Sequence, residues 1–592
     1  MNANEKIQLL RSHMKKYGLD AYIVPSSDPH LSEYVADHWK ARAWISGFTG
    51  SAGTFAATME ESGLWTDGRY FIQAERQLAG SEIELFKMGN QGVPSYTEWI
   101  AHKLKSGECV GFDGKTLSVH SFREMEKKLS LKGIRINKSH DIIADIWEDR
   151  PQIPSCTVFS HDIKYTGMSA KEKIEKVREE MKKVNTDNYL ISSLDDIAWL
   201  FNIRGGDIPY ICVAIAYALI STDKAYLFIN PEKIADDVRR TLEDNEIEIL
   251  DYDAVKEKLE KLDNKQSIAF DIKRTNCWLY DSIPSGCRKI EVDEITATLK
   301  AVKNETEIEN IKKCQINDGI AMIKFLLWLD KNIGRQEISE ITVSEKLKQL
   351  RSEQPGNIGI SFETIAGYKD HGAMMHYSAT EETKYMLEDR GIMVLDSGGQ
   401  YLNGTTDITR TIVFNDITEE EKTDFTLVLK AHIALASTKF LYGATGSNLD
   451  VLARKPLWEL GLDYKCGTGH GVGYCLSVHE GPQSISPRPN NIKLEKGMIV
   501  TIEPGIYREG KHGVRIENMV LVVEDEKTEF GQYMRFEPIT LCPISLKGIN
   551  PDMLTEQEKK WLNTYHRNVF ETLSPYLDEE EITWLEENTR SI

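Results

Sequence analysis

Five residues in the second half of this 592-residue sequence, Asp396, Asp407, His470, Glu503 and Glu517, are of the types that hold a pair of divalent metal ions. Four carboxylates and one imidazole supply enough donors for two ions a few ångströms apart. Such a pair polarises a carbonyl and deprotonates a bridging water near neutral pH, which is hydrolytic chemistry. The oxygen-rich set favours Mn2+, Co2+ or Zn2+ in a hydrolytic pair over a structural zinc, which takes thiolates.

The settings of the five are alike. Ile392 to Leu395 is an apolar run ending in Asp396 and two glycines, and Asp407 opens a second run, Ile408 to Phe414. A strand, a short glycine-containing turn and a return strand would bring both acids to one face. In Gly467-Thr-Gly-His470-Gly-Val-Gly473, glycines let the backbone approach closely and leave imidazole as the functional side chain. His479, in Val478-His479-Glu480, is near enough to serve the same cavity. Met498 to Ile502 ends in Glu503, held by Pro504, and the spacing predicts one strand over 514–523 in which Arg515 and Glu517 share a face. Taken singly, each acid can simply end a strand, His479 can be a core histidine, and Glu517 can pair with Arg515. Together, five candidate ligands between positions 396 and 517 point to a metal centre.

The elements that carry this set follow an α/β pattern. Ala21–Val24 reads as a strand, 51–59 as another and 70–78 as an amphipathic helix. Asp149-Arg-Pro-Gln-Ile-Pro154 reads as a linker, since a residue before proline is pushed out of helix. Asp187-Asn-Tyr-Leu-Ile191 followed by Ser-Ser-Leu-Asp echoes Asp20-Ala-Tyr-Ile-Val24 followed by Pro-Ser-Ser-Asp, a weak internal repeat. A long helical pattern opens at Leu299, with Ile308, Ile311, Ile316 and Ile320 recurring at roughly helical spacing. The expected domains are 1–153, 154–298 and 299–592, the last with an extension from about 545. Trp561, Tyr565, Phe570 and Trp584 in that extension suit helices packed on the body or on a second subunit.

Composition narrows the function. A net charge of -20 disfavours nucleic acid and anionic membranes. No run reaches the roughly 20 apolar residues of a membrane span; Tyr210–Ile220 reads as a buried strand, and the N-terminal residues lack the apolar core of an export signal. Nine cysteines without a C-x-x-C pair suit reduced thiols and a cytoplasmic location. There is no phosphate-binding G-x-x-x-x-G-K-[ST], and Gly50-Ser51-Ala52-Gly53 does not complete a serine-hydrolase elbow.

The order Asp, Asp, His, Glu, Glu, with Gly467–Gly473, Val478-His479-Glu480, Glu503-Pro504-Gly505 and Arg515-Ile-Glu-Asn518, resembles the pita-bread metallopeptidases. This family includes methionine aminopeptidase, prolidase and aminopeptidase P. Ser46–Gly53, Trp65–Phe71, Asp196–Arg204 and Trp561–His566 extend the likeness over the whole chain, in the manner of the three-domain aminopeptidase P type. The resemblance implies a mixed α/β and α+β fold: two tandem creatinase-like α/β domains followed by a pita-bread catalytic domain.

It also implies roles. Asp396, Asp407, His470, Glu503 and Glu517 become ligands of two divalent ions, Mn2+ first, with Co2+ or Zn2+ as alternatives. Glu503 takes a proton from a bridging water that attacks an Xaa-Pro bond. His376 and His479 match substrate-binding and oxyanion-stabilising histidines, Arg515 matches an arginine orienting a ligand, and Arg204 aligns with a position towards the substrate entrance. His371 receives no role. The implied partners are peptides beginning Xaa-Pro and a second copy of the chain, in the cytoplasm. Two alternatives stay open: a prolidase acting on Xaa-Pro dipeptides, and a non-catalytic peptide-binding member of the fold.

Overall fold

The computed structural model describes residues 1–592, which divide into two compact units. The first comprises residues 1–162 and 168–296, the second residues 163–167 and 297–592.

The first unit contains two six-stranded sheets of the same topology. In one, Ala21–Pro25 is central, antiparallel to Thr54–Thr58 and parallel to Cys109–Gly111. In the other, Asn188–Ile191 is antiparallel to Ala216–Ser221 and parallel to Ser267–Phe270. Both central strands are the segments paired in the sequence repeat, and both are buried on two faces, which is why they read as unbroken apolar runs. The strand expected over 210–220 begins only at Ala216. Before it, Tyr210 takes a left-handed φ of 70°, and the buried Asp207 accepts the Ile215 N–H at 2.7 Å. A side chain thus satisfies an amide that a neighbouring strand would otherwise hold.

The second unit opens on helix α1, Glu305–Asn332. The helical pattern read from Leu299 is interrupted: a short helix ends at Ala301, and Asn304 starts α1 with a capping box shared with Glu307, each side chain accepting the other's N–H at 3.0 Å. Ile308, Ile311, Ile316 and Ile320 all fall on α1. Next come α2, Glu340–Ser352, and three strands, β1 (Ile365–Tyr368), β2 (Ile392–Ser397) and β3 (Ile408–Val413), which form an antiparallel sheet with β2 in the middle. Helix α3, Glu419–Ala436, packs across the core.

A six-stranded sheet contains β4 (Gly469–Gly471), β5 (Ile499–Ile502) and β7 (Asn518–Thr528), while β6 (His512–Arg515) pairs with Gly505–Arg508. The single strand expected over 514–523 is therefore two strands, broken at Ile516 and Glu517. The break has a cause: the Glu517 N–H turns away to the Thr409 carbonyl at 3.1 Å. Helix α4, Glu556–Leu573, starts behind a Thr555/Glu558 capping box, and a last helix, Glu579–Asn588, follows it. The aromatic residues of the extension pack on their own unit, with Tyr565 buried, Trp561, Phe570 and Trp584 against the same core, and the Trp584 indole donating to Asp330 at 2.8 Å. No helix in the chain is long and apolar enough to cross a membrane.

Candidate metal centre

Asp396 and Asp407 arrive from the β1–β2–β3 sheet. Asp396 is the fifth residue of β2 and lies in register with Thr409 on β3, and Asp407 immediately precedes β3. The connection is longer than the short turn read from sequence, because Gly399–Tyr401 and Gly404–Thr405 form their own hairpin between them.

His470, Glu503 and Glu517 arrive from the second sheet. His470 is the middle of β4, where a Cβ on Gly469 would lie 1.8 Å from the Thr501 carbonyl and one on Gly471 would lie 2.2 Å from that of Glu480. Only glycine lets β4 sit this close to its neighbours. Upstream, buried Arg454 donates to Asp450 and to the carbonyls of Tyr464 and Cys466, while the Thr468 hydroxyl donates to Asp450 at 2.5 Å, so the approach to His470 is fixed. Glu503 follows β5, its N–H donated to Thr468 at 2.7 Å, and Glu517 lies at the break before β7.

The side chains converge. His470 Nε2 is 3.4 Å from Asp407 Oδ2 and 3.5 Å from Glu503 Oε1, and donor atoms of Asp407, His470 and Glu517 all lie within 4.8 Å of one another. His470 Nδ1 is 2.9 Å from the Gly471 carbonyl, which fixes the tautomer with its proton on Nδ1 and turns Nε2 to the acids. Arg515 donates to Asp396 Oδ2 at 2.6 Å, to Tyr507 Oη at 2.8 Å and to Thr409 Oγ1 at 3.1 Å. The Thr409 hydroxyl in turn donates a hydrogen bond to Glu517 Oε2 at 2.9 Å. The partner of Glu517 is thus Thr409, and the ion pair with Arg515 weighed from sequence goes to Asp396.

The electrostatics are those of crowded buried acids. Burial, opposed by Arg515 and reinforced by the charges of Asp407 and Glu503, pushes the Asp396 carboxyl up to about 6. Burial and the same neighbours push Glu517 well above the carboxylate range. Against a burial that acts to lower it, Asp407 and Glu503 lift His470 to about 9. Four acids face one guanidinium and one imidazole, and Asp396 Oδ1 is buried with no hydrogen-bond partner. A buried acceptor without a donor beside excess negative charge fits divalent cations.

Around this cluster, the His479 ring stands edge-on to His470 with centroids 4.4 Å apart. His376 is partly buried and follows Met375, whose carbonyl accepts from Arg515 at 3.3 Å. His371 is buried on a different partner, the Glu340 carboxylate of α2, at 2.9 Å. Arg204 belongs to the first unit, where it is buried and donates to the Ala198 and Ile203 carbonyls at 2.9 Å. Sequence reasoning passed over Thr409, Tyr507 and Cys466. The signal for Thr409 was the run of hydroxyls flanking Asp407, Thr405-Thr-Asp-Ile-Thr409. Cys466 precedes the glycine run, and burial with the Glu503 charge pushes its thiol up to about 12.

Residues 6–146 and 149–307 each match the Creatinase/Prolidase N-terminal domain, residues 309–524 match metallopeptidase family M24, and residues 532–592 match the C-terminal region of peptidase M24. The chain is 38% identical to a probable Xaa-Pro aminopeptidase P of Paracoccidioides brasiliensis over 100% of both chains. It is 38% identical to aminopeptidase P2 of Arabidopsis thaliana over 100% of this chain and 88% of the relative. Among solved structures, it superimposes on X-prolyl aminopeptidase from Caenorhabditis elegans, described as a cytosolic enzyme with a di-nuclear active site. That match has a TM-score of 0.97 and 34% identity, over 100% of both chains.

Proposed function

The chain belongs to the Xaa-Pro aminopeptidase P family of M24 metallopeptidases, and on that premise we propose a division of labour among its site residues for the removal of an N-terminal residue that precedes proline. The enzyme is a metal-dependent hydrolase of peptides. Asp396, Asp407, His470, Glu503 and Glu517 would hold the two divalent ions, Mn2+ first with Co2+ or Zn2+ as alternatives; Asp407, His470 and Glu517 already offer donor atoms within 4.8 Å of one another. When bound, such ions polarise the scissile carbonyl and acidify water. The observation that carries this reading is the cluster of four acids around His470, three of them buried and Glu503 partly so, with Asp396 Oδ1 left without a donor.

The protein groups then divide the work. Glu503, whose Oε1 faces His470 Nε2, receives the proton of the attacking water. His479, edge-on to His470, donates to the oxygen that gains charge as the carbonyl carbon becomes tetrahedral. His376 holds the peptide beside the scissile bond. Arg515 keeps Asp396 from rotating and supplies the one fixed positive charge among the acids. An Xaa-Pro bond has no amide N–H, so proteases that grip that donor fail on it and a dedicated site is required.

The test is hydrolysis of an Xaa-Pro-Yaa peptide by Mn2+-reconstituted wild type and by Asp407→Ala, with Xaa-Ala-Yaa as control. Cleavage of the proline peptide by wild type alone is expected; equal cleavage by the variant, or of the control, overturns the reading. Activity on an Xaa-Pro dipeptide with none on longer peptides would instead identify a prolidase. A cytoplasmic location and a homodimer complete the proposal. The dimer rests on the family likeness, because the aromatic residues of the extension pack on their own unit; a monomeric mass by light scattering would overturn it.

A further inference from the structure

Arg410, on β3, is 2% exposed, and all five of its N–H donors are used. Nη1 donates to the backbone carbonyls of Thr409 at 2.9 Å and Glu517 at 2.6 Å. Nη2 donates to Asn518 Oδ1 and the Cys542 carbonyl at 2.8 Å, with Tyr565 Oη also at 2.8 Å, and Nε donates to the Pro543 carbonyl at 3.0 Å. One planar fork therefore ties two strands of the metal centre to the C-terminal region.

The tie continues past Arg410. Asn518 Nδ2 donates to His432 Nε2 at 3.2 Å, and His432 Nδ1 donates to the Ile502 carbonyl at 3.0 Å. Asn518 and His432 are both 0% exposed. The backbone at Glu517, at Thr409 two residues after Asp407, and at Ile502 just before Glu503 is thus referenced to a single buried hydrogen-bond network. That network is anchored from α4, where the Tyr565 hydroxyl also reaches the Thr540 carbonyl at 3.0 Å.

We propose that Arg410 is a positioning residue for the metal ligands, locked by the C-terminal region through Cys542, Pro543 and Tyr565. The C-terminal region then sets metal affinity as well as stability. This rests on the metal reading above. A guanidinium is required because it serves several carbonyls in one plane; an ammonium keeps the charge but has three donors and no fork. Partners that orient ligands from behind typically change metal affinity about 10- to 100-fold when removed.

The test uses full-length chain stripped of metal and titrated with Mn2+ by calorimetry, comparing wild type, Arg410→Lys, Tyr565→Phe and Leu562→Ala. Leu562 lies on α4, is 0% exposed and, being apolar, takes no part in the hydrogen bonds of Arg410, so it serves as the control for lost packing. Arg410→Lys is expected to weaken at least one Mn2+ step about tenfold or more. Leu562→Ala is expected to lower Tm while binding Mn2+ as wild type does. Wild-type Mn2+ affinity in Arg410→Lys, or in Tyr565→Phe should the lysine variant not fold, overturns the proposal. An equal loss in Leu562→Ala overturns it too. A wild type that binds no Mn2+ overturns the metal reading and this one with it.

Discussion

Arg515 and Asp396, 119 residues apart, form an ion pair inside the metal centre, Nη2 to Oδ2 at 2.6 Å, with the other guanidinium nitrogens on Thr409 and Tyr507. The arginine thereby holds one oxygen of Asp396 and leaves the other, Oδ1, free for an ion.

Arg515→Lys should therefore impair the site although charge is conserved, because a point charge cannot reach Asp396, Thr409 and Tyr507 together. Steady-state kinetics on an Xaa-Pro-Yaa peptide should give kcat lowered about 10- to 100-fold. Wild-type kcat in the lysine variant would refute a positional role.

Mn2+ should raise the Tm of the metal-free chain, because ions that bind only the folded form stabilise it by mass action, by about 2.7 kcal/mol at a hundredfold excess over Kd. Thermal scans of Asp407→Asn should show little of that rise. A variant gaining as much as wild type would mean that Mn2+ binds elsewhere.

Glu340, at 0% exposure, accepts from the amides of Tyr368 and Tyr385 at 2.8 Å, from the Tyr377 hydroxyl at 3.1 Å and from His371. These donors bracket the segment carrying His376, so Glu340 anchors that segment. Glu340→Ala leaves several buried donors unpaired and should cost about 3 kcal/mol. The milder Tyr377→Phe should raise KM for the peptide with metal content unchanged. Denaturant unfolding would check the first outcome, and steady-state kinetics with metal analysis the second.

In the first unit, burial and the nearby Asp141 carboxylate push the Asp113 carboxyl from 3.8 up to about 6. The folded form thus holds this proton more tightly than the unfolded chain. Its contribution to stability is full below about pH 4 and is lost as pH rises through about 6. Asp113→Asn keeps an oxygen for the Lys115 N–H, which Oδ1 accepts at 3.0 Å. It should raise Tm by a few degrees at pH 7.5 and make little difference at pH 4.5. A Tm difference independent of pH would sink this account.

The ligand types, the glycines that admit β4 and the strand ends that carry the acids were legible in the sequence because each depends on a few adjacent residues. A carboxylate after an apolar run, or a histidine among glycines, has the same meaning wherever the chain goes. The first unit's paired central strands were visible for the same reason.

Partner choice was not legible. Periodicity put Arg515 and Glu517 on one strand face; the Thr409 carbonyl draws off the Glu517 amide, breaks the strand and sends the two side chains to different acceptors. Nor could local pattern reveal that Arg410 reaches Cys542, Pro543 and Tyr565, more than 130 residues away. Donor chemistry is a property of the residue and its neighbours, so sequence by itself determined which groups could bind metal. Which acid each cation holds depends on strand register and on elements distant in the chain, and that only the tertiary structure decided.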